Sequence, residues 1–219
     1  MAVLTEGRGA GSFEADLSQI DRHVIHLFAM VSSALAGVTA AFLSGDREAA
    51  RDLVAGDPLI DMLQSSTEEL VQHALTHPLL YTEDELRLLV AVLHIVPELE
   101  RSGDLVEHIA LRTPQGLARQ ISPHARGLIE EMGEIAVDMW QAAGDAYADR
   151  DATAAEGLRQ LDDRLDDLHV CLSVELGESS TSVAVAMEMG LVARFYERLG
   201  DHAVNVARRV RYLVPTLAK

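Results

Sequence analysis

The chain has 219 residues and carries 18 Lys and Arg against 35 Asp and Glu, a formal net charge of −17. Such a surface repels a phosphate backbone and anionic lipid, which excludes nucleic acid as an expected partner and favours a cation or a basic protein. Hydrophobic residues make up 48% and aromatic residues 4%, the composition of a folded helix bundle and not of a disordered chain.

Met1–Ser12 is Gly-rich, lacks the basic-then-apolar order of a signal peptide, and reads as a flexible N-terminus (1–12). A 3.6-residue apolar rhythm then predicts a first helix from about Phe13 through Val24, Leu27, Val31, Leu35 and Val38 to Leu43. Ser44-Gly45-Asp46 reads as a stop and an N-cap for a second helix running towards His77, closed by Pro78. Thr82 and Glu85 form a capping-box pattern opening a third helix to about Arg112, with Pro97 expected to kink it. Ser122 and Pro123 open a fourth helix to Ala148. A fifth is predicted from Asp151 to Leu176, ended by Gly177, and a sixth from Ser180 to Leu213. No strand pattern is present, and no uninterrupted apolar run reaches the roughly 18–20 residues that span a bilayer. A cytoplasmic protein without direct membrane insertion is therefore expected. The single cysteine, Cys171, excludes an internal disulfide and reads as a buried thiol.

The helices repeat in threes. Asp46, Asp57 and Asp61 recur as Asp151, Asp162 and Asp166, an offset of 105 residues. Glu100-Arg101-Ser102-Gly103-Asp104 recurs as Glu197-Arg198-Leu199-Gly200-Asp201, an offset of 97. The predicted fold is all-α: two tandem three-helix bundles, 13–113 and 122–213, whose short links imply antiparallel neighbours.

The repeat places acids where helices repel them. Asp57/Asp61, Glu100/Asp104, Asp162/Asp166 and Glu197/Asp201 are i,i+4 carboxylate pairs, each costing a few tenths of a kcal/mol. Leu89, Leu93 and Val96 fall within about 40° of Glu100 on a helical wheel, so the acids continue an apolar stripe. Glu197 shares its face with the small residues Ala186, Gly190 and Ala193. Charges on such a stripe need a partner, a metal or an opening to water. Hard cations such as Mg²⁺, Mn²⁺ or Fe take oxygen ligands, and facing carboxylate pairs build such sites in bundles.

The segment Glu100 to Ala110 resembles the E-R-x-G-D-x-x-x-N-I-A signature of PhoU proteins, regulators of phosphate uptake, and Glu197 to Ala207 is the closer copy. Asp57-x-x-Ile60-Asp61 and Asp162-x-x-Leu165-Asp166 resemble the family's D-x-x-I-D element. The resemblance spans about residues 13–213. It implies metal sites at Asp57, Asp61, Glu100 and Asp104 and at Asp162, Asp166, Glu197 and Asp201. Iron would be the favoured ion, with Zn, Mn, Mg or Ca as alternatives. It also implies a non-catalytic protein that restrains the phosphate ABC transporter. Partners would be the transporter's ATPase and a phosphate-sensing histidine kinase at the cytoplasmic membrane face, with homodimers common. His108 stands where the family has Asn, and Ser102 where it has Ile, while Asn205 keeps the pattern.

His108, Asn205 and His169 are accessory ligand candidates, although a helical His is more commonly a packed polar residue. Glu130, Glu134 and Asp138 read as a solvated ladder, and Met187, Met189, Phe195 and Tyr196 as core or interface. Arg194, Arg198, Arg208, Arg209 and Arg211 concentrate cations in the last helix, where an anion site is conceivable but weakly marked. No Walker loop, G-x-S-x-G, H-E-x-x-H or Cys-x-x-Cys occurs, so no enzyme is expected. Two rivals stand beside the regulator: a metal-dependent bundle enzyme of ferritin-like or hydrolase type, and a metal-free docking bundle with its acids in solvent.

Overall fold

Capping chemistry sets where each helix begins. A computed structural model describes residues 10–213. Helix α1 (Ala10–Ser44) ends at Gly45, whose φ of 75° turns the chain so that the Asp46 carboxylate accepts the N–H groups of Glu48 and Ala49. That cap opens α2 (Arg47–Leu75). Thr82 and Glu85 make the expected capping box for α3 (Glu83–Ala110), which runs unbroken through Pro97. Ser122 accepts the N–H of Ala125 at the head of α4 (Pro123–Asp149).

Two helices start later than expected. Asp151 takes both the N–H and the hydroxyl of Thr153, holding a turn, so α5 begins at Ala154 and runs past Gly177 to Glu178. Ser182, not Ser180, caps α6 (Val183–Val210) by accepting the N–H of Val185. Residues 10–12, expected to be flexible, belong to α1, whereas the rest of that expected segment lies outside the described residues.

α1, α3, α4 and α6 form a ring of four mutually packed helices. Phe28 of α1 meets Trp140 and Tyr147 of α4, while Thr39 faces Gly133, so α1 and α4 run antiparallel. Ser102 meets His202 and Arg112 meets Glu188, so α3 and α6 also run antiparallel. The two three-helix units are therefore related by an approximate two-fold axis across the helices. Burial is complete at the centre, where Trp140 donates to the Leu199 carbonyl at 3.1 Å and the Tyr196 hydroxyl bonds Thr39 at 2.8 Å.

α2 and α5 pack on the outside, each against its own unit, and bury one stripe only. Leu158, Leu165, Leu168, Leu172 and Leu176 fill that stripe on α5. Cys171 lies about 100° away from Leu172 around the helix, and it is exposed, not buried as expected. Glu130, Glu134 and Asp138 are exposed, as read from the sequence. Met189 and Tyr196 are buried in the core and Phe195 is half-buried, but Met187 is 68% exposed.

α1 corrects a second expectation. Its span Phe13–Ser44 is long and apolar enough, by length and composition, to cross a membrane. Here it is one of the four ring helices, with Ile20, Val24, Leu27, Val31, Leu35 and Val38 fully enclosed by its neighbours. Interrupting Ser, Thr and His residues hid the run from a reading that sought unbroken apolar sequence.

The α1–α4 crossing depends on Gly133. A Cβ there would lie 2.5 Å from both Oγ1 and Cγ2 of Thr39, and the Thr39 hydroxyl is already committed to Tyr196 and the Leu35 carbonyl. Gly133→Ala is expected to cost about 1–3 kcal/mol through overpacking, despite its better helix propensity. Gly127→Ala on the same helix, with open space around it, should stabilise by up to about 1 kcal/mol. Chemical denaturation of the two variants beside the parent checks both signs.

Candidate metal centre

The eight predicted carboxylates fall into two groups, one between α2 and α3 and one between α5 and α6. In the first, burial raises the Asp57 carboxyl to about 6, reinforced by Asp61, Glu107 and Asp104. Glu100 is raised by burial and by Asp104 and Asp61, with Arg101 opposing. In the second, burial raises Asp162 to about 6, helped by Asp201, Asp166 and Asp163. Asp166 is raised by burial, then by Glu197 and Asp201. Each predicted quartet is thus one electrostatic neighbourhood in which the acids oppose each other's ionisation.

Glycine brings the helices together. A Cβ on Gly200 would lie 2.7 Å from Asp162 Oδ1 and 2.8 Å from Leu165 Cδ2. A Cβ on Gly103 would lie 3.1 Å from Ile60 Cδ1 and 3.3 Å from Asp57 Oδ1. The carboxylate of the outer helix therefore sits over the bare backbone of the inner one, flanked on that helix by the Glu and Asp of the motif. Gly103 and Gly200 were not singled out for this role in the sequence. The available signal was a glycine inside a strong helical pattern, which costs about 1 kcal/mol and implies a close approach. Glu107 and Asp163, also unremarked, join the first and second groups.

Asp61, Asp166 and Asp201 are exposed, whereas Asp57, Glu100, Asp104, Asp162 and Glu197 are half-buried. Among the described residues no three His, Cys, Asp or Glu side chains stand close enough to hold one ion. Like charges sharing a neighbourhood splay apart. An all-oxygen donor set, raised protonation and a backbone cradle open at glycine fit a hard cation, provided the flexible side chains turn inwards. The first group also borders a cleft of about 670 Å³ between α1, α2 and α3, lined in part by Asp52, Asp57 and Glu107.

The accessory candidates divide. His169 Nδ1 lies 3.6 Å from Glu197 Oε2, so it joins the second group, where Arg194 also pairs with Glu197. His108 is stacked on Phe195 of α6 with ring centroids 5.6 Å apart, although its charge still reaches Asp57. Asn205 accepts from Arg208 at 3.3 Å. The nearby arginines mostly serve other acids: Arg101 pairs with Glu98 and Arg164 with Glu131.

A family profile described as the PhoU domain matches twice, over residues 24–113 and 129–210. The chain belongs to the PhoU family. Among its relatives, a phosphate-specific transport system accessory protein PhoU homolog 2 from Mycobacterium tuberculosis is 31% identical, the alignment covering 91% of this chain and 94% of that one. A PhoU homolog from Zymomonas mobilis is 29% identical over 94% of this chain and 88% of its own. The crystal structure of PhoU from Pseudomonas aeruginosa superposes with a TM-score of 0.83 at 26% identity, covering 92% of this chain and 98% of that chain.

Both acid quartets lie within the two PhoU-domain matches, one in each. Ser102 lies on the opposite side of α3 from the acids. It is wholly buried, donates to the Glu98 carbonyl at 2.7 Å and meets His202 Nδ1 at 3.0 Å, a hydrogen bond between the two PhoU units.

Because the folded carboxyls of Asp57 and Asp162 are raised above their usual 3.8 to about 6, their ionisation opposes folding. Their protonated form favours the fold below about pH 4, and that benefit disappears as pH rises through about 6. In chelator, an Asp57→Asn/Asp162→Asn variant should match the parent's Tm near pH 3.5 and exceed it at pH 7.5. Thermal melts across that range give the comparison, and a constant or reversed gap contradicts the assignment.

Proposed function

We propose that this PhoU-family protein is a non-catalytic accessory of phosphate transport whose two carboxylate groups bind metal ions. The observation that carries this reading is the presence of one acid quartet, built over a glycine cradle, in each PhoU unit. The names of its relatives as phosphate-specific transport accessory proteins support the transport role.

Asp57 and Asp61 of α2 and Glu100 and Asp104 of α3 would hold the first ion. Asp162 and Asp166 of α5 and Glu197 and Asp201 of α6 would hold the second, with His169 beside Glu197. A cation there would supply positive charge that offsets the mutual repulsion of the acids, which would let each outer helix seat against its inner partner. Since α2 and α5 bury only one stripe each, their seating is the part of the fold most open to adjustment. The reading includes docking to the phosphate transporter's ATPase and to a sensor histidine kinase on the cytoplasmic side, restraint of transport, and homodimerisation. Iron is the favoured ion.

A metal-free docking bundle is the second reading, favoured by the exposure of Asp61, Asp166 and Asp201 and by the separation of the side chains. Metal titration separates the two. Fe²⁺ or Mn²⁺ added to chelator-treated protein should raise Tm by several degrees, as expected for saturating binding to the folded state alone. Asp162→Asn/Glu197→Gln should lose the second site's share, and Asp57→Asn/Glu100→Gln the first's. Unchanged melting with substoichiometric metal content would leave the metal-free reading standing.

Gly200→Ala tests the cradle. Its methyl would displace Asp162, so metal affinity should fall about tenfold or more while the helix retains its secondary structure. Equilibrium dialysis with Mn²⁺ and circular dichroism measure the two effects separately.

A further inference from the structure

The approximate two-fold axis sets positions of α3 against positions of α6 at an offset of 97 residues, and one such pair, two arginines, differs in what it meets. Arg112, at the end of α3, donates from Nε to Glu188 Oε2 of α6 at 3.0 Å, and its guanidinium lies 4.9 Å from the centre of the Phe195 ring. Its counterpart at the end of α6 is Arg209. Where Arg112 finds Glu188, Arg209 finds Ala91, and where Arg112 finds Phe195, the other half has Glu98. Glu98 is turned to Arg101 and towards His202, and Arg209 makes no ion pair among the described residues.

A cleft of about 430 Å³ opens at this place. Leu86, Val90 and Ala91 of α3 and Tyr212 form its apolar walls, and Arg209 and His94 supply its polar edge. Val90 and Tyr212 are 48% and 59% exposed, large apolar surfaces left uncovered by the fold. The acid of the cleft, Glu83, is engaged by Arg87 at 2.5 Å. In a chain of net charge −17, this is a local excess of cationic groups beside apolar walls, in a volume that suits a small ligand.

We propose that this cleft binds a small organic carboxylate with a flat apolar body, its head group taking at Arg209 the place that Glu188 takes at Arg112. The guanidinium offers two parallel donors that match a carboxylate, and the internal repeat shows the geometry in which this protein already satisfies one. The body lies between Val90, Leu86 and Tyr212. The site is separate from both acid quartets and does not depend on metal.

Phenylacetate, acetate and phenyl phosphate are the probes, followed by calorimetry and by methyl and aromatic NMR of the whole chain. Phenylacetate should bind saturably at one site and shift the resonances of Leu86, Val90 and Tyr212. Arg209→Ala should weaken it about tenfold or more, the scale of a lost charge-assisted pair. Ala91→Glu, which installs the counterpart of Glu188, should abolish binding. Since Ala91 is buried, Val90→Glu at the more exposed wall serves as a second charge-installing variant with the same expected loss. Acetate, lacking the body, should bind at least about tenfold more weakly. Absence of saturable binding, indifference to Arg209→Ala, acetate binding as well as phenylacetate, or preference for phenyl phosphate would each overturn the assignment.

Discussion

The structure depends on how closely the inner and outer helices of each unit approach where carboxylates face bare backbone. At Gly103 and Gly200 there is no side chain to hold the helices apart, and the space is taken by Asp57 and Asp162 of the neighbouring helix. This is an expensive arrangement. It spends helix propensity at glycine and places half-buried like charges together, so that both aspartates resist ionisation. It is repeated in both units, whereas apolar side chains at the same positions would cost less.

The cost is borne by a strong centre. α1, α3, α4 and α6 enclose a continuous apolar core with Trp140, Tyr147 and Tyr196 fully buried and their polar atoms bonded. α2 and α5 carry half of each acid group and are attached by a single stripe, while the ring of four helices carries the core. The contact between Ser102 and His202 lies in the ring, behind both acid motifs, and ties the inner helix of one unit to that of the other.

Approximate symmetry makes the departures from it informative. Glu197 pairs with Arg194 and has the His169 ring 3.6 Å away, whereas Glu100 has no equivalent ion pair among the described residues. Arg112 is satisfied by Glu188 and Phe195, whereas Arg209 borders an open apolar cleft.

Much was legible in the sequence because the signals are local. Helical periodicity, the caps at Asp46, Thr82 and Ser122, the repeated acids and the PhoU-like motifs all depend on residues within a few turns of one another. The errors also have local causes. Asp151 carries the repeat of Asp46 but spends its carboxylate on Thr153, which delayed α5. Cys171 sits in an apolar-looking helix that is covered on one side only, a fact about neighbours and not about sequence. The sequence by itself determined six helices, two units and the repeated acid pairs, since these follow from spacing along a single helix. Only the tertiary structure decided that the units pack antiparallel through four inner helices, that glycine lets each aspartate reach the opposite backbone, and that Arg209 lacks the partner its counterpart has. Those are relations between residues about a hundred positions apart, and distance along the chain carries no record of them until helices pack.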